Sequence, residues 1–140
     1  MPMHRPDEPG AMADPALTVY FDGACALCSA EIRHYAGQAG AEQVAFCDVA
    51  APDARPGPGL DRDAALARFH VRQADGRIVS GATAFVALWA QLPRWRWAAR
   101  IAQAPGVLTV LEALYRLFLP VRPLLSRIAA SLGAKPLRQR

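Results

Sequence analysis

Two cysteines three residues apart, Cys25 and Cys28, stand in the run VYFDGACALC that begins at Val19. Such a pair supports three chemistries: a dithiol that cycles through a disulfide, half of a metal site, or two thiols packed into a core. A carboxylate, Asp22, precedes Cys25 by three residues. It reads either as a turn residue whose side chain takes nearby amides or as a group that moves protons to and from the dithiol. Cys25, Cys28 and Asp22 are therefore the candidate catalytic residues.

The neighbouring residues say how such a pair would be held. Leu17 to Phe21 is short, β-branched and aromatic, and closes on Asp22-Gly23, the pattern of a buried strand entering a turn. From Ala26 the period changes. Cys28, Ile32, Tyr35 and Ala36 fall at i, i+4, i+7 and i+8, one apolar stripe of a helix that Gly37 and Gly40 end. Cys25 then lies at the mouth of a helix, where unpaired amides and the helix dipole favour an anion, here a thiolate. Cys28 follows on the same side, with an α-carbon separation of roughly 5 to 6 Å, which suits a disulfide. As the head of the apolar stripe, Cys28 is expected to be the more buried of the two. Cys25 would attack a substrate disulfide and Cys28 would resolve the mixed disulfide.

The remaining chain supplies a framework. Val44 to Val49 reads as a second strand, and APDARPGPG as a loop. Asp61 is an N-cap for a short helix through about Ala67. Arg68 to Gln73 and Arg77 to Ser80 flank Asp75-Gly76, a hairpin. Phe85, Leu88, Trp89 and Leu92 form one face of a helix that Pro93 closes. Helices over Trp95 to Ala102 and Val107 to Leu119 follow, separated by Pro105-Gly106 and stopped near Pro120 and Pro123. The order β-α-β-α-β-β-α predicts an α/β, thioredoxin-like fold: a mixed four-stranded sheet with helices on both faces and additional C-terminal helices.

Composition limits the alternatives. With 140 residues, 53% hydrophobic and 20% charged, the chain is expected to fold as one domain rather than remain disordered. Zinc usually takes four ligands, yet no second closely spaced pair exists, and Cys47, His34 and His70 sit on separate elements. No metal and no cofactor are expected, and Cys47 reads as a small buried hydrophobe. Residues 1–70 carry 5 Lys+Arg against 10 Asp+Glu, and residues 71–140 carry 11 against 2, so the chain runs from net −5 to net +9. A basic half suits phosphate, an anionic membrane surface or an acidic partner.

Arg94, Trp95, Arg96 and Trp97 alternate basic and aromatic residues, which can stack bases. Arg on Trp is also an ordinary surface contact, and no nucleic acid is expected as a partner. The helix over Val107 to Leu119 is apolar nearly all round, with Thr109, Glu112 and Arg116 as its thin polar stripe. Such a helix is buried or docked, and burial against its own domain is expected. Arg122, Arg127, Lys135, Arg138 and Arg140 follow it, so a peripheral membrane contact through this C-terminal helix is the second reading. The opening MPMHRPDEPGAMADPA lacks the apolar core of a secretory signal. A flexible tail over 1–16, a redox domain over 17–119 and a basic tail over 120–140 are expected, with a cytoplasmic location in which thiols stay reduced.

FDGACALC, together with the downstream FHVRQADGRIVSGATAFVALWAQLPRWRWAA, closely resembles the DCC family of thiol-disulfide oxidoreductases, small bacterial domains. The family's aromatic-Asp-Gly-x-Cys-x-x-Cys signature is carried by Phe21 (or Tyr20), Asp22, Gly23, Cys25 and Cys28, and the resemblance runs from about Leu17 to Phe118. It implies a thioredoxin-like fold, a redox dithiol at Cys25 and Cys28, and Asp22 as a marked neighbour. Thioredoxins place a cis-proline just before the third strand, facing the dithiol. The equivalent place here, near Ala67-Arg68, holds no proline, and Ala26-Leu27 separates the cysteines. The expected activity is exchange of disulfides with a disulfide-containing substrate, with a separate reductant to reset the pair. Two alternatives stand beside it: a non-catalytic thioredoxin-like binding module that docks its basic helical half on a membrane or partner protein, and a zinc protein. No oligomeric state follows from the sequence.

Overall fold

Strand β1 (Leu17–Phe21) is buried along its whole length, and the rest of the sheet forms around it. A computed structural model describes residues 15–137. The expected N-terminal tail lies outside the described residues except for its last two positions. After β1 come α1 (Ala26–Ala36), β2 (Val44–Asp48), α2 (Arg62–Ala67), β3 (His70–Gln73), β4 (Ile78–Ser80), α3 (Ala82–Gln91), α4 (Arg96–Ala102), α5 (Val107–Phe118) and α6 (Arg122–Ser131). Short 3-10 turns occupy 41–43, 93–95 and 119–121.

The sheet order is β2-β1-β3-β4. Helix α1 carries the chain back, so β1 and β2 run parallel with Val19 opposite Phe46. β3 runs antiparallel to β1, with Val19 opposite Val71, and β4 antiparallel to β3. The hairpin turns at Gly76, whose φ of 87° no side chain easily tolerates, while Asp75 Oδ1 accepts the Arg77 N–H at 3.0 Å. The result is the expected mixed α/β, thioredoxin-like arrangement.

Alternation along β1 divides the core. Leu17, Val19 and Phe21 face α1 and α3, where they meet Ile32, Tyr35, Leu88 and Leu92. Tyr20 faces the other side with Cys47, Val49 and Ala65 of α2. Cys47 is 0% exposed, the small buried residue its strand position suggests. Tyr20 also donates its hydroxyl to Pro56 O at 2.7 Å, and Arg72 donates to Tyr20 Oη at 3.0 Å and to Pro58 O at 2.6 Å. These bonds clasp the proline-rich loop to the sheet. Each fully buried Val or Leu of this core contributes about 1.5–3 kcal/mol.

Two expectations fail beyond α4. The segment expected as a basic tail, 120–140, contains α6, which packs on α1 with Ser126 Oγ accepting the Ala26 N–H at 3.0 Å. Pro123 is the reason. It lies in the first turn of α6, where its missing N–H has no helical partner to lose, so it starts a helix rather than stopping one. Helix α5 is also not buried. Val110, Leu114 and Leu117 are 58%, 56% and 73% exposed, while Glu112, of the thin polar stripe, turns inward. Its carboxylate meets Arg68 at 3.0 Å and accepts the Ala82 N–H at 3.1 Å. Tyr115 Oη beside it accepts the Phe69 N–H at 2.6 Å.

Candidate functional site

The turn between β1 and α1 sets the first cysteine. Asp22 O accepts the Cys25 N–H at 3.1 Å, and Asp22 Oδ1 accepts the Ala24 N–H at 3.0 Å. This is the side-chain turn that Asp favours. Gly23 is present for close approach. The Asp48 carboxylate of β2 accepts the Gly23 N–H at 2.8 Å and the Ala50 N–H at 2.9 Å, and a Cβ on Gly23 would overlap that carboxylate. Ser29, fully buried on α1, donates to Gly23 O at 3.1 Å and fixes the turn from the helix side.

Cys25 is itself the N-cap of α1. Its backbone is extended (φ −88°, ψ 119°), and its Sγ accepts the Cys28 N–H at 3.2 Å. A cap oxygen normally plays this part; here a sulfur does, and an anionic sulfur does it best. The Cys25 pKa is lowered from 9.0 to about 6. The largest cause is the hydrogen bond from the Cys28 thiol. Burial opposes it, and the Ser126 hydroxyl, the Cys28 amide and the charge of Arg122 assist it. Ser126 accepts from Ala26 N, so its own proton is left for the sulfur. The Cys28 pKa moves strongly the other way, because Cys28 donates to Cys25, is buried, and faces the neighbouring anion. The pair is thus a thiolate at 25 bonded to a thiol at 28.

The expected order of exposure is reversed: Cys25 is 8% exposed, while Cys28 is half-buried. Helix α6 lies against the start of α1, with Ser126 bonded to the Ala26 N–H and to Cys25.

Behind the dithiol is a small cavity of about 40 Å³ whose wall includes Asp22, Cys28, Glu31, Arg68, Tyr115 and Arg122. Glu31, one turn after Cys28 on α1, also borders an open apolar cleft of about 660 Å³ between α1, α3 and α5, with Leu27, Phe85, Trp89 and Phe118. Burial raises the Glu31 pKa to about 7, against a hydrogen bond from Tyr35 (3.4 Å) that lowers it. The Cys25 charge adds to the rise. Arg122 reaches past the cavity to donate to Leu66 O at 3.0 Å. Arg68, near the position where thioredoxins carry their proline, points its guanidinium over the Tyr115 ring at 5.2 Å.

Cys25, Cys28 and Asp22 are therefore brought together, and Glu31, Arg122 and Ser126 join them. Glu31 has a legible signal, since it lies at i+3 from Cys28. Arg122 and Ser126 have none, being about a hundred residues away in the chain. The other metal candidates go elsewhere. Cys47 is under the opposite face of the sheet, His34 lies edge-on to Trp95 at 5.8 Å, and His70 Nδ1 pairs with Arg68 O at 2.8 Å. Among the described residues no group of three or more His, Cys, Asp or Glu is placed to hold a metal ion.

A family model described as DCC1-like thiol-disulfide oxidoreductase matches residues 19–128, a span that includes both cysteines, Glu31 and the two α6 residues at the site. No curated protein and no solved structure matches the chain.

Proposed function

The chain belongs to the DCC1-like thiol-disulfide oxidoreductase family, and on that premise we propose that Cys25 and Cys28 exchange disulfides as nucleophile and resolving thiol. The Cys25 thiolate attacks one sulfur of a substrate disulfide. That S–S bond breaks, its second sulfur leaves as a thiolate, and a mixed disulfide forms at Cys25. Cys28 then gives its proton to the Glu31 carboxylate and attacks Cys25 Sγ. The substrate sulfur that Cys25 first attacked departs with its electron pair, leaving a Cys25–Cys28 disulfide. Two electrons pass from the dithiol to the substrate, and an external thiol or dithiol donor returns them.

Each neighbour has a part in this scheme. Ser126 and Arg122 hold the attacking sulfur as an anion near neutral pH. The same stabilisation favours the reduced form and so makes the pair more oxidising. Asp22 shapes the turn that presents Cys25, and Glu31 is assigned the proton.

The observation that carries this reading is the paired sulfurs at the start of α1: Cys25 Sγ caps the helix and is favoured as an anion first by the Cys28 thiol, with Ser126, the Cys28 amide and Arg122 assisting. Reduction of a model disulfide tests it. Cys25→Ser is expected to lose turnover altogether. Cys28→Ser should accumulate the mixed disulfide, visible as added mass that a reductant removes. Glu31→Gln should flatten the limb near pH 7 in the resolving step while leaving the Cys25 titration in place. Wild-type rates in both cysteine variants would overturn the assignment.

A further inference from the structure

Spacing in the last two helices isolates one row of side chains. Val110, Leu114, Leu117, Val121, Leu124 and Ile128 fall at i, i+4, i+7, i+11, i+14 and i+18, one side of a helical rod. They are 58%, 56%, 73%, 44%, 57% and 46% exposed. The opposite side of the same rod, Glu112, Tyr115, Arg122 and Ser126, is bonded to the body of the protein. Among the described residues every exposed large apolar side chain lies at or beyond Trp97. A contiguous apolar face of this length marks an interaction surface rather than ordinary protein exterior.

Charge says what the surface meets. Residues 93–137 contain seven Lys+Arg and one carboxylate, Glu112, which is turned inward onto Arg68 and Arg116. Arg94, Arg96, Arg100, Arg116, Arg127 and Lys135 are all exposed. We propose that this face rests on an anionic lipid surface, with α5 and α6 lying in the plane of the headgroups. Apolar side chains entering the acyl boundary with arginines at the phosphates is the pattern of an interfacial helix.

A second copy of the chain fits less well, because pairing this face with itself would oppose cation to cation with no outward carboxylate to answer. The 3-10 turn at 119–121, with Pro120 in it and Pro123 just after, also breaks the straight seam that a partner helix would follow. A fluid surface adapts to such a break. Among the described residues no single helix is long and apolar enough to cross a membrane; Pro93–Ala102 and Val107–Ser131 match a span only taken together and are bent by 104°. The cations beside the apolar row favour a place at the headgroups. Leu114 belongs both to this row and to the rim of the apolar cleft that reaches Glu31, so the cleft opens beside the lipid-facing side.

Co-sedimentation of the full chain with vesicles tests the proposal. Binding is expected to vesicles of phosphatidylcholine mixed with phosphatidylglycerol, to weaken as salt rises, and to be slight for phosphatidylcholine alone. Leu117→Glu combined with Leu124→Glu should lower binding at least tenfold. Arg127→Glu should lower it about fivefold or more, for the anionic mixture only. Reduction of a soluble model disulfide without vesicles should be unchanged in all these variants, which separates this proposal from the dithiol chemistry and reports intact folding. Failure to bind either composition at low salt overturns it. So does a concentration-dependent dimer in sedimentation that the double substitution breaks, since the face then belongs to a second copy.

Discussion

The sheet half and the C-terminal helices are built in opposite senses. Between β1 and α3 the apolar side chains point inward: Val19, Phe46, Val71 and Leu88 are at most 1% exposed. In α5 and α6 four polar side chains, Glu112, Tyr115, Arg122 and Ser126, point inward, while most of the large apolar ones point outward. Glu112 and Tyr115 bind the β3 approach, Arg122 and Ser126 reach the dithiol, and Leu117 is 73% exposed. One region holds the fold together by burying surface. The other contributes little burial but completes the electrostatics of the reactive sulfur. Apolar content along a sequence thus says how much surface wants covering, not who covers it.

Truncations offer the sharpest way to break this contrast. Leu88→Ala, at a site with no exposure, is expected to lose about 2–5 kcal/mol in urea unfolding, whereas Leu117→Ala should stay within about 0.5 kcal/mol. Equal losses would mean that α5 is core after all. Next in size is Ser126→Ala. A hydrogen bond to a charged group is worth about 1.5–3 kcal/mol, so the Cys25 titration should rise by roughly one to two pH units, with a smaller rise for Arg122→Ala. An unmoved titration in both would make α6 a bystander.

The pH dependence separates the two helices at the site further, because Cys25 and Glu31 carry opposite signs. The folded Cys25 pKa is depressed to about 6, so its contribution to stability is fully present above the unfolded value of 9.0 and is lost as pH falls through 6. The stability gap between wild type and Cys25→Ser should therefore narrow from pH 9 to pH 6. The folded Glu31 pKa is raised to about 7, so its contribution is present below the ordinary value of 4.5 and is lost as pH rises through 7. Glu31→Gln should raise the melting temperature relative to wild type at pH 8 more than at pH 4. Smallest is Tyr115→Phe, which leaves the half-buried Phe69 N–H without its acceptor and should lose about 1 kcal/mol.

Most of the sheet half is legible in the sequence because its signals are local. Period-2 residues in β1, the Asp75-Gly76 turn and the stripe on α1 each occupy a few consecutive turns or steps. The dithiol is legible for the same reason, and so is the turn made by Asp22. The reversal of burial at Cys25 and Cys28 is not, nor is the contact of Ser126, which arrives from the far end of the chain. Pro120 and Pro123 read as stops, although Pro123 sits where a helix begins. Glu31 is visible at i+3 from Cys28, but a carboxylate on a helix reads as solvated until the cleft beside it is known. The apolar character of α5 reads as burial, but its Val110, Leu114 and Leu117 are exposed, because periodicity defines a face without saying what covers it.

One atom joins the chemistry to the architecture. Cys25 Sγ accepts bonds from the amide that starts α1 and from the hydroxyl that seats α6. Once that sulfur is tied into a disulfide it is neutral, and both grips slacken together. Tying up that sulfur would therefore weaken one of the contacts that seat the last helix, while the bond from Ala26 N–H to Ser126 Oγ is left in place.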